Sequence, residues 1–203
     1  MNIYLLIVSS YLIGSVPFGY ILTKFFLRKD IRKIGSGNIG ATNVLRTGNK
    51  ILGYATLLLD VLKAVLPIIF IKINYPEYVF ISALSVFIGH VFPVWLKFRG
   101  GKGVATYVGI LCCINIYLGI SFGLVWLITF LIFKYSSLSS MFAALTVFII
   151  NFIRENISLI GSLSINSDAQ DSKLLFIFFI LIIYTHRKNI SNLKNKTESK
   201  IKI

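Results

Sequence analysis

The chain has 203 residues, of which 56% are hydrophobic and only 14% charged, and its formal net charge is +14. This balance excludes an ordinary soluble domain and is typical of a polytopic membrane protein. It leaves hardly any soluble face on which the positive charge could bind nucleic acid, so we expect no nucleic-acid partner. Positive residues retained in cytoplasmic loops explain the charge more simply.

About 20 apolar residues suffice to cross a bilayer. The first such stretch begins near the N-terminus and lacks both a basic region and a small-residue cleavage site, so we expect a retained span. The run 104–133 is long for one span. Its glycines and Asn115 favour two short helices, with one long tilted helix as the alternative. We predict an all-α integral membrane protein, one membrane domain over residues 1–203, with seven transmembrane helices at about 3–23, 51–71, 78–96, 104–117, 119–133, 138–153 and 174–185.

The polar segments between these spans determine the expected orientation. With seven spans, 17 of the 21 Lys and Arg lie on one side of the membrane. Basic loops are retained in the cytoplasm, so we expect the N-terminus outside and the C-terminus inside. The segment 134–140 predicts a polar, serine-rich break on the cytoplasmic side, and 154–173 predicts an exposed loop on the outer side. The adjacent thiols of Cys112 and Cys113 predict neither a disulfide nor a metal site.

One charged pair lies inside a predicted span. Asp60 and Lys63 are three residues apart and therefore share a helix face. A lone charge at the bilayer centre costs roughly 2.5–3.5 kcal/mol on insertion scales, so the pair indicates a helix that faces the protein interior. A structural ion pair and a direct role in substrate binding are both open at this point.

Three polar motifs are candidates for a cytoplasmic site. The first, residues 35–46, combines closely spaced glycines with short polar side chains and an arginine, a composition that suits phosphate or lets the segment serve as a flexible connector. The second runs from Gly100 to Gly103 into a predicted helix, where backbone N–H groups and Lys102 would attract an anion; a solvated basic loop is the alternative. The third places His186 and Asn189 on one helix face, as a site pair or as simple interface residues.

These motifs contain cations and hydrogen-bond donors but no pair of carboxylates, no Ser-His-Asp order and no metal-ligand cluster. We therefore expect no metal and no cofactor. A site without a strong base favours a reaction whose leaving group is already activated. An acyl phosphate meets this requirement, because its phosphate needs little protonation and can itself accept a proton.

The same residues resemble a known family. The sequences GSGNIGATN followed by Arg46, GHVFPVWLKFRGGKGVAT from Gly89 to Thr106, and His186-Arg187 with Asn189 are similar to the bacterial acyl-phosphate:glycerol-3-phosphate acyltransferases. The resemblance extends over nearly the whole chain. It implies seven spans in a bacterial inner membrane and the first acylation of phospholipid biosynthesis. In this reaction an acyl group passes from acyl phosphate to the sn-1 hydroxyl of glycerol 3-phosphate, giving lysophosphatidic acid and phosphate.

The resemblance also implies site residues. Catalytic roles fall on Ser36, Lys102, His186 and Asn189. Substrate-binding roles fall on Gly35, Asn38, Thr42, Asn43, Arg46, Gly100, Gly101, Gly103 and Ser139, with Ser137 as the alternative to Ser139. A homodimer is one open oligomeric state.

Two residues depart from the family pattern in the third motif and the tail. Lys188 stands where an acid is usual, and Lys196 stands where a glycine is usual, near Glu198. Two other classes of membrane protein are alternatives to an enzyme. A transporter of anionic metabolites would need a polar path through the membrane, and a non-catalytic subunit would tolerate substitutions in Gly100–Gly103.

Overall fold

The computed structural model describes residues 2–160 and 169–200, without side chains for 157–160, 169 and 170. Its α-helices are α1 (Ile3–Gly14), α2 (Phe18–Leu27), α3 (Ala41–Leu45), α4 (Lys50–Asn74), α5 (Val79–Val91), α6 (Val104–Ile114), α7 (Ile116–Phe133), α8 (Ser136–Ile160), α9 (Ala169–Thr185) and α10 (Arg187–Lys194). Short 3-10 helices lie at Ile31–Lys33, Pro76–Tyr78 and Val94–Leu96. The helices form two compact units, Met1–Cys113 and Ile114–Ile203. One membrane domain over the whole chain stays a prediction.

Four segments in the described residues are long and apolar enough to cross a membrane: Ile3–Leu27, Pro76–Leu96, Ile116–Phe133 and Ser136–Asn156. A fifth is present if Asp171–Thr185 and Arg187–Lys194, which are bent by 57°, count as one broken span. Their outward side chains are mostly large and apolar, as in Leu124, Leu127 and Leu131 of α7. Such exposed apolar surface suits contact with lipid.

In the first unit, α1 and α5 approach each other closely because small residues face each other. Gly14 lies against the backbone of Val86, and Gly89 lies against the carbonyl of Tyr11. The buried hydroxyls of Ser10 and Ser82 are hydrogen-bonded at 2.9 Å across the same interface. Small residues allow backbones to meet, which is the usual way that helices associate where no water is available to drive burial.

Helix α4 contains the predicted second span and carries its charged pair. Asp60 Oδ1 lies 2.7 Å from Lys63 Nζ, and the two side chains are only 3% and 2% exposed. The pair is therefore a buried ion pair inside the first unit, and each charge has the partner that the predicted second span requires.

The first polar motif, 35–46, is not a flexible connector but contains a short helix and packs on apolar residues. It includes α3, and an apolar cluster of Ile31, Ile39, Val44, Leu52 and Leu96 lies beneath it. Leu96, four residues before Gly100, belongs to this cluster, so the segments that precede the first and second motifs share one packing core.

In the second unit the predicted break 134–140 is limited to residues 134 and 135, and the prediction is wrong for the serines. Lys134 adopts a left-handed conformation at φ 64°, but α8 already begins at Ser136, so the serines are helical. The hydroxyls of Ser139 and Ser140 donate to the carbonyls of Tyr135 and Ser136 at 2.9 Å. Such bonds to the preceding turn satisfy serine inside a helix, and they explain why a serine-rich run does not break it.

The apolar run 104–133 divides into α6 and α7 at Asn115, whose side chain accepts a hydrogen bond from the N–H of Tyr117. One long helix through this run is therefore wrong. The predicted loop 154–173 is shorter at both ends, because Arg154 lies in α8 and Lys173 in α9. Its central part, including Asp168, lies outside the described residues.

Candidate active site

Asn43 lies at the centre of the first motif. Its Oδ1 accepts a hydrogen bond from the N–H of Ser36 at 3.0 Å. Its Nδ2 donates to the carbonyls of Ile34 and Asn38 at 2.9 and 2.8 Å, with Ile31 at 3.2 Å. The residue is 2% exposed. Asn43 therefore holds the loop together from inside, which the sequence prediction of substrate contact did not foresee.

The outer face of the same loop carries the other predicted residues. Ser36 is exposed, whereas Asn38, Thr42 and Arg46 are half-buried. Gly35 adopts φ 53°, and a side chain there would collide with Asn43 and with the aliphatic part of Arg46. Glycine at this position thus permits the left-handed turn and lets the Arg46 side chain lie across the loop.

A charged turn precedes this motif. Asp30 accepts hydrogen bonds from the Arg32 guanidinium at 2.7 and 3.0 Å, and from the Arg32 backbone N–H at 3.0 Å. These bonds, the Arg32 side chain first, lower the pKa of Asp30 to about 2. Asp30 is therefore ionised at neutral pH, and it neutralises Arg32 at the entrance to an otherwise cationic segment.

The second motif supplies fewer free N–H groups than expected. The N–H groups of Gly100 and Gly101 donate to the carbonyls of Val91 and His90 at 3.0 and 3.1 Å. These two N–H groups are bonded within the chain and are not the free donors that the motif predicts; substrate binding by Gly100 and Gly101 stays a prediction. Helix α6 begins at Val104, and the first N–H groups of an α-helix have no partner within the helix.

Lys102 is half-buried at the start of α6, and Gly103 after it adopts φ 81°. A side chain at Gly103 would collide with the ring of Phe87. The chain can therefore turn sharply into α6 immediately after the lysine only with glycine at this position. The arrangement places a cation next to a helix N-terminus, a combination that stabilises a bound anion.

In the second unit, His186 is 1% exposed at the junction of α9 and α10. Its Nδ1 lies 2.8 Å from the carbonyl of Ile182. A carbonyl only accepts, so Nδ1 carries the proton and a neutral ring has its lone pair on Nε2. The backbone thus sets both the tautomer and the orientation of the imidazole.

Asn189 leads to a residue that sequence reasoning missed. Its Nδ2 donates to Glu198 Oε1 at 2.7 Å, and the hydroxyl of Ser137 donates to the same oxygen at 2.8 Å. Asn192 Nδ2 lies 3.3 Å from the other oxygen. Glu198 therefore joins the start of α8, helix α10 and the tail. Its signal in the sequence was that it is the single acid in a tail with six Lys and Arg.

The two candidate serines differ in their partners. Ser137 is 5% exposed and bonded to Glu198, whereas Ser139 is fully buried and bonded to its own helix. The two departures in the third motif and tail lie in different surroundings. Lys188 is exposed, and Lys196 adopts φ 57°, the left-handed conformation that favours the usual glycine.

The chain was compared with known proteins. The family model described as glycerol-3-phosphate acyltransferase matches residues 4–196. The glycerol-3-phosphate acyltransferase of Pelagibacter ubique is 60% identical over 203 residues, which is the full length of both chains. That of Mesorhizobium japonicum is 45% identical over 97% of this chain and 95% of its own length.

Two solved structures with a similar fold belong to the same family as these relatives. The crystal structure of PlsY (YgiH), an integral membrane glycerol 3-phosphate acyltransferase in its glycerol 3-phosphate form, has a TM-score of 0.88 at 32% identity, covering 98% of this chain and 96% of that one. Its lysophosphatidic acid form has a TM-score of 0.86 at 31% identity, covering 98% and 95%. With its helices and motifs in place, the chain belongs to the glycerol-3-phosphate acyltransferase family of the PlsY type, and it is an integral-membrane acyltransferase.

Proposed function

We propose that the protein transfers a fatty acyl group from acyl phosphate to the sn-1 hydroxyl of glycerol 3-phosphate. The products are 1-acyl-sn-glycerol 3-phosphate, or lysophosphatidic acid, and inorganic phosphate, and the reaction is the first acylation of phospholipid biosynthesis. The observation that carries this proposal is the end-to-end match to glycerol-3-phosphate acyltransferases, over residues 4–196 in the family model and 203 residues in a relative.

The proposed chemistry needs no strong protein base. The sn-1 hydroxyl oxygen attacks the acyl carbon, the bond between that carbon and the phosphate oxygen breaks, and the departing phosphate takes the hydroxyl proton. Negative charge grows on the carbonyl oxygen and on the leaving phosphate. Lys102 and the N–H groups at the start of α6 would stabilise this charge, and preorganised donors of this kind are often the largest catalytic term.

The other side chains receive roles that fit their surroundings. On the first unit we assign Arg46 to a substrate phosphate, with Ser36, Asn38 and Thr42 as additional donors. Asn43 and Gly35 are assigned to holding that loop in shape, since the Asn43 side chain is occupied by backbone groups. Gly100 and Gly101 are likewise assigned to the loop's shape, and Gly103 to the turn into α6.

On the second unit, His186 and Asn189 are assigned catalytic roles, the histidine with its Nε2 as a hydrogen-bond acceptor. Ser139 keeps a substrate-binding role only if Ser139→Ala lowers acyl transfer without lowering thermal stability, because its hydroxyl now bonds to Tyr135. Ser137→Ala is the matched variant, since the Ser137 hydroxyl bonds to Glu198 instead.

We also propose seven spans in a bacterial inner membrane, with the N-terminus outside and the C-terminus and site on the cytoplasmic face. The support is the segregation of 17 of 21 Lys and Arg to one side. Single cysteines at Glu77 and at Lys97, on opposite sides in this arrangement, test it. In intact spheroplasts, an impermeant maleimide should label the first and not the second, and the reverse result rejects the orientation.

The activity is tested with purified protein in lipid, supplied with palmitoyl phosphate and glycerol 3-phosphate. Phosphate release and a lysophosphatidic acid product should require both substrates. Phosphate release without glycerol 3-phosphate, or acyl transfer only from an acyl thioester, would reject the proposed reaction. Substrate flux across the bilayer without acyl transfer would favour the transporter.

A further inference from the structure

A buried polar cluster lies directly behind the glycine loop of the second motif. It consists of Asp60 and Lys63 on α4 and His90 near the end of α5. All three side chains are at most 4% exposed. Buried ionisable groups are costly in a membrane protein, so a group of three calls for an explanation beyond simple packing.

Lys63 connects this cluster to the break in the first membrane segment. Besides its ion pair with Asp60, its Nζ donates a 2.8 Å hydrogen bond to the carbonyl of Val16, in the break between α1 and α2. The same carbonyl also accepts the N–H of Phe18 at 3.2 Å. The Asp60–Lys63 pair is thereby fixed against a second part of the unit and cannot move with α4 alone.

His90 connects the cluster to the loop. Its Nδ1 lies 3.8 Å from Asp60 Oδ1, and its backbone carbonyl accepts the N–H of Gly101. On the opposite edge of the ring, Nε2, Cε1 and Cδ2 are the atoms that a side chain at Gly101 would strike first. The imidazole thus fills the space between the carboxylate of Asp60 and the backbone of Gly101.

The helix that follows the loop is held to the same place. The Thr106 hydroxyl lies 3.4 Å from the backbone carbonyl of Asp60. Gly109, one turn further, lies against the carbonyl of Val61. Asp60 is therefore approached by one residue that precedes Lys102 in the chain, His90, and by one that follows it, Thr106.

We propose that Asp60, Lys63 and His90 are positioning residues that set the location of the glycine loop, and through it the Lys102 ammonium, without touching substrate. This inference rests on the proposed role of Lys102 in acyl transfer. A merely structural ion pair would affect only stability. The positioning role predicts in addition an effect on kcat/KM that can be measured apart from stability.

A double-mutant cycle between His90 and Gly101 tests the contact. Gly101→Ala should push the loop off the imidazole and lower kcat/KM about 100-fold, whereas His90→Ala should lower it about 10-fold. The double variant should be about 10-fold more active than Gly101→Ala alone, because the vacated ring space accommodates the new methyl group. Losses that simply multiply would overturn the proposal.

Controls separate positioning from unfolding. Gly123→Ala in α7 adds the same methyl group where nothing lies within 4 Å, and should leave kcat/KM unchanged. His90→Asn keeps a polar side chain beside Asp60 Oδ1, which lies 3.8 Å from the native imidazole Nδ1, and should recover part of the activity lost in His90→Ala. The unfolding temperature of each variant in detergent is measured beside its kcat/KM. A loss of kcat/KM that follows the fall in unfolding temperature also overturns the proposal.

A readout without substrate separates this inference from the proposed reaction. A nitroxide is attached at Lys102→Cys in a chain with Cys112→Ala and Cys113→Ala, and its motion is followed by electron paramagnetic resonance. His90→Ala should make this label more mobile, while a label at Lys50→Cys, at the exposed start of α4, should not change. An unchanged label at position 102 would overturn the positioning role. A more mobile label at position 102, together with no lysophosphatidic acid formed by the wild-type chain, would reject the proposed reaction and uphold the positioning role.

Discussion

Glu198 accepts a 2.7 Å hydrogen bond from the side chain of Asn189, and it holds the hydroxyl of Ser137 on the same oxygen. One carboxylate in the tail thereby orients a predicted catalytic amide and connects it to the first turn of α8. The position of Asn189 is for this reason a property of the tail as well as of its own helix.

Glu198→Gln should lower the stability of the protein by about 1–3 kcal/mol, because a neutral amide replaces a charged acceptor that receives three donors. Its NH2 group must also face at least one of those donors. Thermal unfolding in detergent measures the loss, and acyl transfer should fall with it. Glu77→Gln, at an exposed residue of a 3-10 turn, is the control and should change neither quantity.

Asn43→Asp should lower the unfolding temperature and raise the KM for glycerol 3-phosphate at least as much as Asn43→Ala, although aspartate has the same shape as asparagine. The substitution keeps the acceptor for the Ser36 N–H but turns a carboxylate oxygen toward the carbonyls that Nδ2 now serves. Leaving buried acceptors unpaired costs about 1–3 kcal/mol each. Unfolding temperature and the KM for glycerol 3-phosphate are the measurements. Asn195→Asp, at an exposed position, serves as the control, and equal effects at the two sites would contradict the assignment.

Lys196→Gly should stabilise the protein, since a non-glycine residue at φ 57° carries a penalty of about 1–2 kcal/mol. The matched variant Lys194→Gly removes the same charge inside the last turn of α10 and should destabilise by about 1 kcal/mol. Opposite shifts of the unfolding temperature are therefore expected from two identical substitutions that lie two residues apart. Shifts of the same sign would show that charge rather than backbone conformation dominates.

Lys102→Met should lower kcat by about 10²–10³, as expected for the loss of one donor that stabilises developing charge. Arg46→Ala should act mainly on the KM for a phosphorylated substrate. Lys97→Met, an exposed cation five residues earlier, controls for the general loss of positive charge. Full activity in the Arg46→Ala, Lys102→Met double variant would remove both residues from the site.

The sequence predicted well those features that depend on composition and spacing. The all-helical fold and four of the seven predicted spans follow from apolar length, and the division at Asn115 follows from a polar side chain that can cap a helix inside an apolar run. The pairing of Asp60 with Lys63 follows from helix periodicity alone. In each case the physical cause acts over a few neighbouring residues, so it can be read along the chain.

Other features depend on which way a side chain points, and the sequence does not specify this. Asn43 has the chemistry of a phosphate ligand, yet its amide faces the inside of its own loop. Gly101 has the flexibility of an anion-binding loop, but its N–H is taken by His90. Glu198 went unnoticed because its partners are 6, 9 and 61 residues away. The serines of 136–140 predict a break, yet they are helical, because a serine hydroxyl can donate a hydrogen bond to a carbonyl of the preceding turn.

The bond from Lys63 to the carbonyl of Val16 joins residues 47 positions apart in the chain. During synthesis, the break between α1 and α2 is made long before the lysine that stabilises it. Until α4 is made, the carbonyl of Val16 accepts only the local N–H of Phe18, and the shorter bond from Lys63 is added when Asp60 and Lys63 follow. A chain truncated before α4 is thus expected to insert its first segment but not to bring it into its final form.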